Sequence, residues 1–588
     1  MAGSRLRQRQ PQPRGNSFFG GAAILAVGIA VVKIIGMFYK VPLYNIIGEQ
    51  GVTDFTNAYN IYSVLLTAST AGLPVAMSKI VSEGLTQGRQ NQVRKVFRVA
   101  LFTFFCIGLA GFAVMFFFAD PLAAAQGDPL AAPSIRCLAP AVFFVSLLAV
   151  FRGYAQGHSD MIPTAVSQII EALSKLVIGL ALAGLLIQST VTAEQLLHYR
   201  PELDQAALTA GELAEALDSL RSALAASGAI VGVTIGTALA VAYVLVRQLR
   251  RSRMEPRLSH DRPDSSRRIL GDLLKVAVPI TLSSSIVGLV SLVDAAMVQH
   301  QLQNALGLTL DESRSLYGCY GTAQTIYNLP SALMVSITAS VIPAITACRT
   351  RRDRVGANKL VGSSLRVSAL LCFPMGAGLV VLGTPIIRLL FKSNANPEMT
   401  GVLLSTLGLA SVFVCIVLVC NSILQAHGFV NLPVATMLVG GVVKVITNYN
   451  LVALPQVGIY GAPMGNVLCF GLVAALDLFI IARVIPGRPA YRALFLKPLI
   501  ASVLMGGAAW AVYGLASRVL LGVKAFQAVN ELGETALSWT GNAGAVLAAI
   551  LAAVVVYAVL VVVLRILTKD DLALMPKGEK LGRILGIR

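Results

Sequence analysis

The sequence predicts an all-α polytopic membrane protein with about fourteen transmembrane helices. Of its 588 residues, 56% are hydrophobic and only 13% are charged, and the mean hydropathy is +0.74. Apolar stretches such as 230–246 and 543–567 approach or exceed the ~20 residues that a helix needs to cross ~30 Å of hydrocarbon. Backbone polar groups in lipid must be paired within the segment, and a helix pairs them. Basic and acidic loops also alternate along the chain, as they do in a protein that crosses a membrane repeatedly.

The predicted helices follow from the apolar stretches and their limits. They span residues 17–47, 51–86, 92–119, 130–156, 161–188, 227–250, 269–300, 316–348, 358–391, 399–427, 431–453, 459–485, 493–516 and 541–567. A basic run precedes the first helix, as in a signal peptide, but the apolar stretch is too long and lacks a small-residue cleavage site. We therefore expect it to remain as a membrane helix.

The charges of the loops predict the topology. Lys and Arg crowd the loops at 89–98, 247–268, 349–359 and 483–497, as well as both termini. The intervening loops carry the acidic residues, which are Glu49 and Asp54, Asp120 and Asp128, those from Glu194 to Asp218, Asp311 and Glu312, and Glu531 and Glu534. By the positive-inside rule, the sequence predicts a multi-pass protein of the cell (plasma) membrane with both termini in the cytoplasm.

The chain divides into two lobes and an addition. We predict a basic cytoplasmic N-terminus (1–16), a first lobe (17–250) with an external insert at about 189–227, a basic cytoplasmic linker (251–268), a second lobe (269–485), two further helices (486–567) and a basic cytoplasmic tail (568–588). In the insert, Thr209 and Glu212 form a capping-box pattern that is followed by leucines at helical spacing. This pattern predicts a short amphipathic helix on the outer surface.

An internal repeat supports the two lobes. Residues 58–62 (AYNIY) match 323–327 (AQTIY), and Lys175 corresponds to Lys444. Pro74 corresponds to Pro343 at the same offset as the lysines, 269 residues, and the offset of the first match is 265. Both copies begin on the cytoplasmic side, which predicts two pseudo-symmetric six-helix lobes related by an axis along the membrane normal and arranged around a central cavity. Alternating access between the lobes is the mechanism that such symmetry serves.

Several function classes are disfavoured. The net charge of +19 is not gathered on one face with a nucleic-acid recognition motif, so we expect no nucleic-acid partner. The eight cysteines show no metal-ligand spacing, and we expect neither a metal nor a cofactor. The sequence has no phosphate loop, HExxH or GxSxG motif, which argues against an enzyme. Transport would then be driven by an ion gradient, the membrane potential or a substrate gradient.

Charged residues inside predicted helices are the candidate functional residues, because each is costly in lipid unless it faces a cavity or a partner. Lys33 and Lys40 lie seven residues apart and share one face of the first helix, so together they could present two ammonium groups to one cavity. Snorkelling to the membrane interface is the alternative, and it suits Lys40 better than Lys33.

The remaining charged candidates leave several interpretations open. Glu171 and Lys175 form an i,i+4 pair that either neutralises itself or frees Lys175 for a substrate phosphate. Lys444 has no acid four residues before it, which makes it an anion-site candidate. Arg152 is either a cytoplasmic anchor or a substrate gate, and Asp294 could pair with a cavity lysine, bind a coupling cation or lie near the outer surface.

Prolines within the apolar helices are candidate hinges. Pro74, Pro279 and Pro343 interrupt predicted membrane helices, where they would free backbone groups and permit bending. Such bends would allow the lobes to rock, although ordinary kinks explain the prolines equally well.

The first helices carry a family resemblance. Residues 33–43 (KIIGMFYKVPL), 58–62 (AYNIY), 71–83 (AGLPVAMSKIVSE) and 152–157 (RGYAQG) resemble the stage V sporulation protein B-like polysaccharide exporters. These belong to the multidrug/oligosaccharidyl-lipid/polysaccharide (MOP) superfamily, together with the MurJ-type lipid II flippases. The resemblance extends over most of the chain, and the long external insert departs from the family pattern.

The resemblance implies a fold and a set of site residues. It implies a fourteen-helix, V-shaped pair of lobes whose central cavity holds cations for a lipid diphosphate. By this resemblance Lys33, Lys40, Arg152 and Lys175 fall where cavity cations are expected. Lysine stands where the peptidoglycan flippases often use arginine, so the bidentate fork toward phosphate is lost.

We therefore expect a flippase for an undecaprenyl-diphosphate-linked oligosaccharide or peptidoglycan precursor, serving the spore cortex or another cell-wall polysaccharide. Its partners would be this lipid-linked anionic glycan, membrane lipids and the cell-wall synthesis machinery, and the protein would be a monomer. A Na⁺- or H⁺-coupled multidrug antiporter of the same superfamily is the alternative, and Glu171 is the residue that keeps it open. A glycan polymerase or cell-wall scaffold would need reactive residues in the external loops, and the insert shows no such constellation.

Overall fold

The computed structural model describes residues 15–70, 72–158, 160–199, 209–254, 261–350, 352–392, 396–429, 431–485, 490–529 and 535–566. The predicted cytoplasmic tail (568–588) and most of the predicted cytoplasmic N-terminus (1–16) lie outside these ranges. The long elements are α-helices, as predicted, and two three-residue strands form one small hairpin near the C-terminal end.

The elements follow one another in a simple order. The first half consists of α1 (Gly15–Thr70), α2 (Leu73–Thr86), α3 (Gln90–Phe117), α4 (Ala119–Ala125), α5 (Ala132–Gly157), α6 (Ile162–Ser174), a π turn (Lys175–Gly179), α7 (Leu180–Leu186), α8 (Ala193–Tyr199) and α9 (Ala210–Met254). The second half consists of α10 (Ser266–Asn304), α11 (Leu310–Thr350), α12 (Arg354–Leu390), α13 (Pro397–Ala426), α14 (Asn431–Val452), α15 (Gly461–Val484), α16 (Tyr491–Leu521), β1 (Gln527–Val529), β2 (Thr535–Leu537) and α17 (Trp539–Val563).

The helix α1 is a hairpin that turns at Gly48. This glycine has a φ of 66° inside an otherwise helical segment, a conformation that glycine adopts readily. The ring centroids of Tyr39 and Phe55 lie 6.3 Å apart, on opposite sides of the turn. In a continuous helix, residues sixteen positions apart would be separated by about 24 Å. The chain therefore crosses the membrane twice within α1, as the predicted helices 17–47 and 51–86 require.

The number of membrane crossings agrees with the prediction. In the described chain, 11 helical stretches combine the length and hydropathy needed to span a bilayer. One of them, Val31–Thr67, holds both arms of the α1 hairpin. The helices α10 and α11, with 39 and 41 residues, are also long enough to cross. Together these segments account for the fourteen predicted crossings.

The second predicted helix is broken, which corrects its continuous range of 51–86. The helix α1 ends at Thr70 and α2 begins at Leu73, so that Pro74 lies in the first turn of α2. A proline is well tolerated there because the first N–H groups of a helix have no intrahelical partner. A Cβ on Gly72 would lie 2.1 Å from the backbone oxygen of Ala277, so the break is packed directly against α10.

Pro279 and Pro343 lie in a different context from Pro74. The helices α10 and α11 run through these two positions without a break. The hinge role of the three prolines remains a prediction.

The helix predicted after Thr209 in the insert is not a separate amphipathic helix, which corrects that prediction. The helix α9 begins at Ala210 and continues through the membrane for 45 residues, or about 68 Å. The predicted capping box is confirmed, since Thr209 N–H donates to Glu212 Oε2 over 2.8 Å and Glu212 N–H donates to Thr209 Oγ1 over 3.3 Å. The leucines of this extension pack against Leu130 and Leu196. The part of the insert from Ala210 onward is thus a continuous extension of the sixth membrane helix.

The linker between the lobes is fastened to the first lobe. The carboxylate of Asp261 accepts the N–H groups of Asn91 and Gln92 at the start of α3, over 2.9 and 2.8 Å. Asp264 pairs with Arg89 at 3.3 Å. A carboxylate at a helix N-terminus satisfies N–H groups that lack intrahelical partners. The entry to α10 is therefore held at the end of α3.

The two C-terminal helices dock on α12 through a defect in that helix. Pro374 has no N–H group, so the carbonyl of Leu370 lacks its intrahelical donor. The hydroxyl of Tyr557 in α17 donates to this carbonyl over 2.7 Å. Asn542 of α17 makes a second contact with α12 by donating to the Pro385 carbonyl over 3.1 Å. These bonds attach the additional pair of helices to the second lobe.

Replacing Tyr557 with phenylalanine should weaken this attachment. The variant leaves the buried Leu370 carbonyl without a donor, which should cost about 1–3 kcal/mol. Thermal unfolding in detergent would measure the loss. Tyr449→Phe, at a side chain that is 59% exposed, is the matched control and should leave the midpoint unchanged. Equal effects of the two variants would contradict this account of the docking.

Candidate functional site

Three lysines of the first lobe converge on one region, here called the lysine site (Lys33, Lys40 and Lys175). The ammonium group of Lys175 lies 5.5 Å from the ring centroid of Tyr39 and 3.9 Å from the position that a Cβ on Gly36 would occupy. It thus reaches over the α1 face that separates Lys33 from Lys40. The ammonium of Lys175 also interacts electrostatically with both lysines. The shared face that the seven-residue spacing predicts is therefore directed toward a third cation.

A local distortion of the fifth membrane helix positions Lys175. The five residues Lys175–Gly179 form a π turn between α6 and α7. Such turns are uncommon and occur frequently at functional sites. A Cβ on Gly232 of α9 would lie 2.4 Å from the backbone of Gly179, so α9 packs tightly against the turn. The fold holds the turn, and with it the base of the Lys175 side chain.

The acid next to Lys175 is engaged by another residue. Glu171 Oε2 lies 3.0 Å from Arg152 of α5, and the Arg152 Nε donates to Ser167 Oγ over 2.9 Å. The Arg152 side chain is only 13% exposed, so it is largely buried within the protein. Because Arg152 holds Glu171, the acid is not reserved for Lys175. The lysine site therefore keeps an excess of positive charge.

The second lobe contains a different arrangement around its lysine. Lys444 Nζ lies 2.7 Å from Asp294 Oδ2, and Asn448 donates to the other oxygen of the same carboxylate. The two side chains are 10% and 6% exposed. Tyr327 and Tyr320 lie close enough to interact electrostatically with Lys444 and Asp294, respectively. The lysine without a local acid in the sequence thus has an acidic partner from another helix.

The repeat therefore produces two chemically distinct halves. Lys175 and Lys444 occupy related places, but Lys444 has a counter-ion at contact distance whereas Lys175 lies near two further lysines. The repeated tyrosines follow this pattern, because Tyr62 lies near the Arg152 and Glu171 pair and Tyr327 near Lys444. The positive charge is concentrated in the first lobe.

A buried ionic cluster joins the lobes at the end of the molecule that carries the predicted external insert, and we call it the outer closure (Arg314, Asp54, Asp128, Asp311 and Ser219). The Arg314 side chain is fully buried and lies 2.6 Å from Asp54, 3.1 Å from Asp128 and 3.5 Å from Asp311. It also contacts the Ser219 hydroxyl of the α9 extension. Arg314 and Asp311 belong to the second lobe and the other three residues to the first. One guanidinium therefore links both lobes.

Further contacts surround the outer closure. Gln299 of α10 donates to Asn57 Oδ1 over 2.8 Å, and Asn57 donates to Asp128 Oδ2 over 3.0 Å. At the α1 turn, Ser315 donates to Glu49 Oε2 over 2.8 Å. A Cβ on Gly318 would lie 1.9 Å from the Glu49 carbonyl oxygen, so only glycine allows this approach of α11 to α1. The lobes are therefore in contact at this end of the molecule.

Sequence reasoning assigned the charges of the outer closure differently. It treated Asp54, Asp128 and Asp311 as external acids that mark the topology, and it did not single out Arg314. The available signal was an arginine within a predicted external acidic segment, which departs from the positive-inside pattern. Their convergence depends on the packing of α1, α9 and α11.

Two related lobes of membrane helices, an interior cationic site and a closure at one end define a multi-pass membrane transporter. A family model described as "Lipid II flippase MurJ" matches residues 45–530, and the chain belongs to this family of flippases. The resemblance to the MOP superfamily is thereby confirmed.

Relatives of the chain agree with this family. The uncharacterized membrane protein YabM of Bacillus subtilis (strain 168) is 26% identical over 568 residues, which cover 96% of each chain. The lipid II flippase MurJ of the same organism is 23% identical over 78% of this chain and 80% of its own length. Its stage V sporulation protein B is 22% identical over 95% and 98%.

Solved structures confirm the fold. The structure described as "Lipid II flippase MurJ, inward closed conformation" superposes with a TM-score of 0.61 at 16% identity, covering 92% of this chain and 99% of that one. An outward-facing multidrug resistance MATE family transporter of the MOP superfamily gives 0.53 at 14% identity, covering 84% and 97%. The predicted two-lobe architecture is the one that both share.

Removing Arg314 should destabilise the protein strongly. Arg314→Ala would leave Asp54 and Asp128 buried without a cation, a change that typically costs about 3–5 kcal/mol. The free energy of unfolding in detergent would measure this loss.

Arg388→Ala is the matched control. Arg388 pairs with Glu398 at an exposed site, where the side chains are 44% and 66% accessible. Exposed pairs contribute only about 0–1 kcal/mol, so this variant should be nearly neutral. If both arginine variants lost the same small amount, the outer closure would not be the contact that holds the lobes together.

Proposed function

We propose that this protein moves a lipid-linked anionic glycan from the cytoplasmic to the outer leaflet of the cell membrane by alternating access. The cargo would be an undecaprenyl-diphosphate-linked oligosaccharide or peptidoglycan precursor. The observation that carries the proposal is the lysine site, where three ammonium groups of one lobe approach one another while Arg152 holds the nearest acid. Like charges that interact in this way repel one another, and a multiply charged anion would relieve that repulsion.

The diphosphate is the group that would occupy the lysine site. Each lysine offers a compact ammonium on a flexible stem, which can follow a phosphate group through a conformational change. The Lys33 side chain is exposed and that of Lys40 is half-buried, so both are accessible to a ligand. The polyprenyl tail would remain among the lipids, since its transfer into a polar site is unfavourable.

The outer closure would act as the outer gate of the transport cycle. In the described state, the carboxylates of Asp54 and Asp128 neutralise Arg314. When the lobes separate outward, these charges would become hydrated, which offsets the loss of their mutual attraction. A binding site in the first lobe and a gate between the lobes are the parts that alternating access requires. Pro74, Pro279 and Pro343 remain the proposed hinges.

The orientation and biological role belong to the same proposal. The positive-inside pattern places both termini in the cytoplasm. The similarity to proteins named lipid II flippase MurJ and stage V sporulation protein B supports a role in cell-wall or spore-cortex synthesis, with that machinery as partner. Lipid II itself is the first substrate to test.

The antiporter alternative has weaker support. It needs an intramembrane carboxylate that binds a coupling cation, and Glu171 and Asp294 were the candidates. Arg152 and Lys444 now occupy these two acids at 3.0 and 2.7 Å. A coupling cation that bound Glu171 or Asp294 would have to displace the side chain of Arg152 or Lys444, respectively.

The lysine site can be tested by the exposure of lipid II in the outer leaflet of cells depleted of their own flippase. The wild-type protein should rescue exposure. The triple variant Lys33→Ala, Lys40→Ala, Lys175→Ala should lose at least tenfold in rate at equal membrane abundance, because the diphosphate loses its counter-ions. The corresponding arginine variant should retain activity. Lys79→Ala, at an exposed lysine of α2, is the control.

Each result has a distinct meaning. Rescue by the triple alanine variant would keep the function and reject the site. Failure of the wild-type protein, together with ion-coupled extrusion of cationic dyes, would favour the antiporter.

The gate can be tested through Val52, which is 1% exposed and faces Gly321 of α11 across the lobe interface. A Val52→Cys protein should react slowly with a membrane-impermeant maleimide added from outside. Adding Arg314→Ala should raise the labelling rate, because the outer closure would open more often. The parent protein without Val52→Cys gives the background from native cysteines, and Arg388→Ala is the matched control. An unchanged labelling rate would mean that Arg314 does not hold the gate.

A further inference from the structure

A buried carboxylate of the second lobe stands apart from the ionic sites described above. Asp477 lies in α15, seven residues before the end of that helix, or about 10 Å from it. Its side chain is wholly buried among apolar neighbours such as Val473 and Ile481. Its hydrogen-bond partner Thr436 precedes Lys444 in α14 by eight residues, or about 12 Å, so Asp477 does not belong to the Lys444 and Asp294 pair.

The carboxyl group of Asp477 has one polar partner. Thr436 Oγ1 lies 2.8 Å from Asp477 Oδ1 and 3.1 Å from the Pro433 carbonyl oxygen. A hydroxyl group has one hydrogen and can serve only one of two acceptors. If Asp477 carries a proton, it donates to Thr436 and the Thr436 hydroxyl donates to Pro433, so that both contacts are hydrogen bonds. If Asp477 is ionised, one contact is lost.

The surroundings provide no compensating charge. Within the described chain, no ion pair includes Asp477, and its Oδ2 atom is buried without a hydrogen-bond partner. Among the described residues, Cys420 of α13 interacts with it electrostatically, and Tyr491 of α16 lies nearby, where its hydroxyl donates to the carbonyl of the adjacent Leu478. Neither group is a cation.

Other buried carboxylates of the chain show the contrast. Asp54 and Asp294 each have a cation within 2.7 Å. An ionised carboxylate without such a partner is strongly disfavoured in an apolar interior, and protonation removes the penalty. The described environment of Asp477 suits the neutral acid.

We propose that Asp477 is a proton-binding site of the second lobe, occupied by a proton in this outward-closed state. When the cytoplasmic ends of α13, α14 and α15 move apart and admit water, the carboxyl O–H bond breaks and the proton passes to that water. Thr436 then donates to the resulting carboxylate. The assignment of protons as the coupled ion rests on the proposed transport function, whereas the protonated state of Asp477 does not.

Infrared spectroscopy of the purified full-length protein tests the protonated state directly. The difference spectrum between wild type and Asp477→Asn at neutral pH should contain the carbonyl band of a protonated carboxylic acid, and the band should shift in D₂O. Thr436→Val removes the acceptor of the acid and should move the band toward that of a free carboxyl group. A carboxylate signature in place of the acid band would overturn the proposal.

The pH dependence of stability gives a second readout. Near neutral pH, Asp477 should carry a proton in the native state, whereas the same carboxyl group is ionised in the unfolded chain. Unfolding therefore releases a proton, and the protein becomes less stable as pH rises. Asp477→Asn should remove this slope, and its melting temperature should exceed that of wild type increasingly toward high pH. Asp272→Asn, at an exposed acid of α10, should leave the slope unchanged. A slope retained in Asp477→Asn would also overturn the proposal, and if that variant fails to fold, the Thr436→Val spectrum decides.

The transport assay separates coupling from binding. If Asp477 couples protons to transport, lipid II exposure should vary with cytoplasmic pH in wild type and lose that variation in Asp477→Asn. An acid band together with transport that has the same pH profile in both proteins would keep the site and reject the coupling. If wild type moves no lipid II, the proposed function fails while the infrared and stability results still decide the protonation of Asp477.

Discussion

The packing of this protein depends on one fully buried guanidinium. Arg314 is surrounded by carboxylates from α1, from the segment before α5 and from its own helix, and it links the two lobes at their outer ends. A buried ion pair gives little net stability compared with apolar packing, but removal of one partner destabilises the protein strongly because the other charge stays buried without compensation. Such a contact therefore specifies one arrangement of the lobes without making it irreversible. A transporter needs this property at a gate, because water replaces the lost partners when the gate opens.

Several features near the outer closure bring the two lobes into contact. The α9 extension carries Ser219 to the guanidinium, and the tight turn at Gly48 brings Glu49 against Ser315 of α11. Gly318 permits direct contact between the backbones of α1 and α11. The external insert, which the sequence marks as a departure from the family pattern, is therefore part of the lobe interface.

The sequence predicts the features that depend on local periodicity and the positions of charges along the chain. These include the crossings, the repeat, the capping box at Thr209 and the shared face of Lys33 and Lys40. It could not predict pairs formed by residues far apart in sequence, such as Arg314 with Asp54, which are 260 positions apart, or Asn448 with Asp294, which are 154 apart. The break before Pro74 and the continuous α9 were also missed, because hydropathy does not distinguish a broken helix from a continuous one.

The two halves of the repeat show how one ancestral position supports different chemistry. Lys175 and Lys444 occupy related places, yet only Lys444 has its acid at contact distance. The difference comes from the surroundings, since Glu171 is shared between Arg152, at 3.0 Å, and Lys175, while α10 supplies Asp294 to Lys444 at contact distance. The lysine of the second lobe is neutralised while that of the first lobe lies among further lysines, so the positive charge is distributed unequally between the lobes. An anionic head group would then be drawn to the first lobe, while the second lobe moves against it with its own charges already paired.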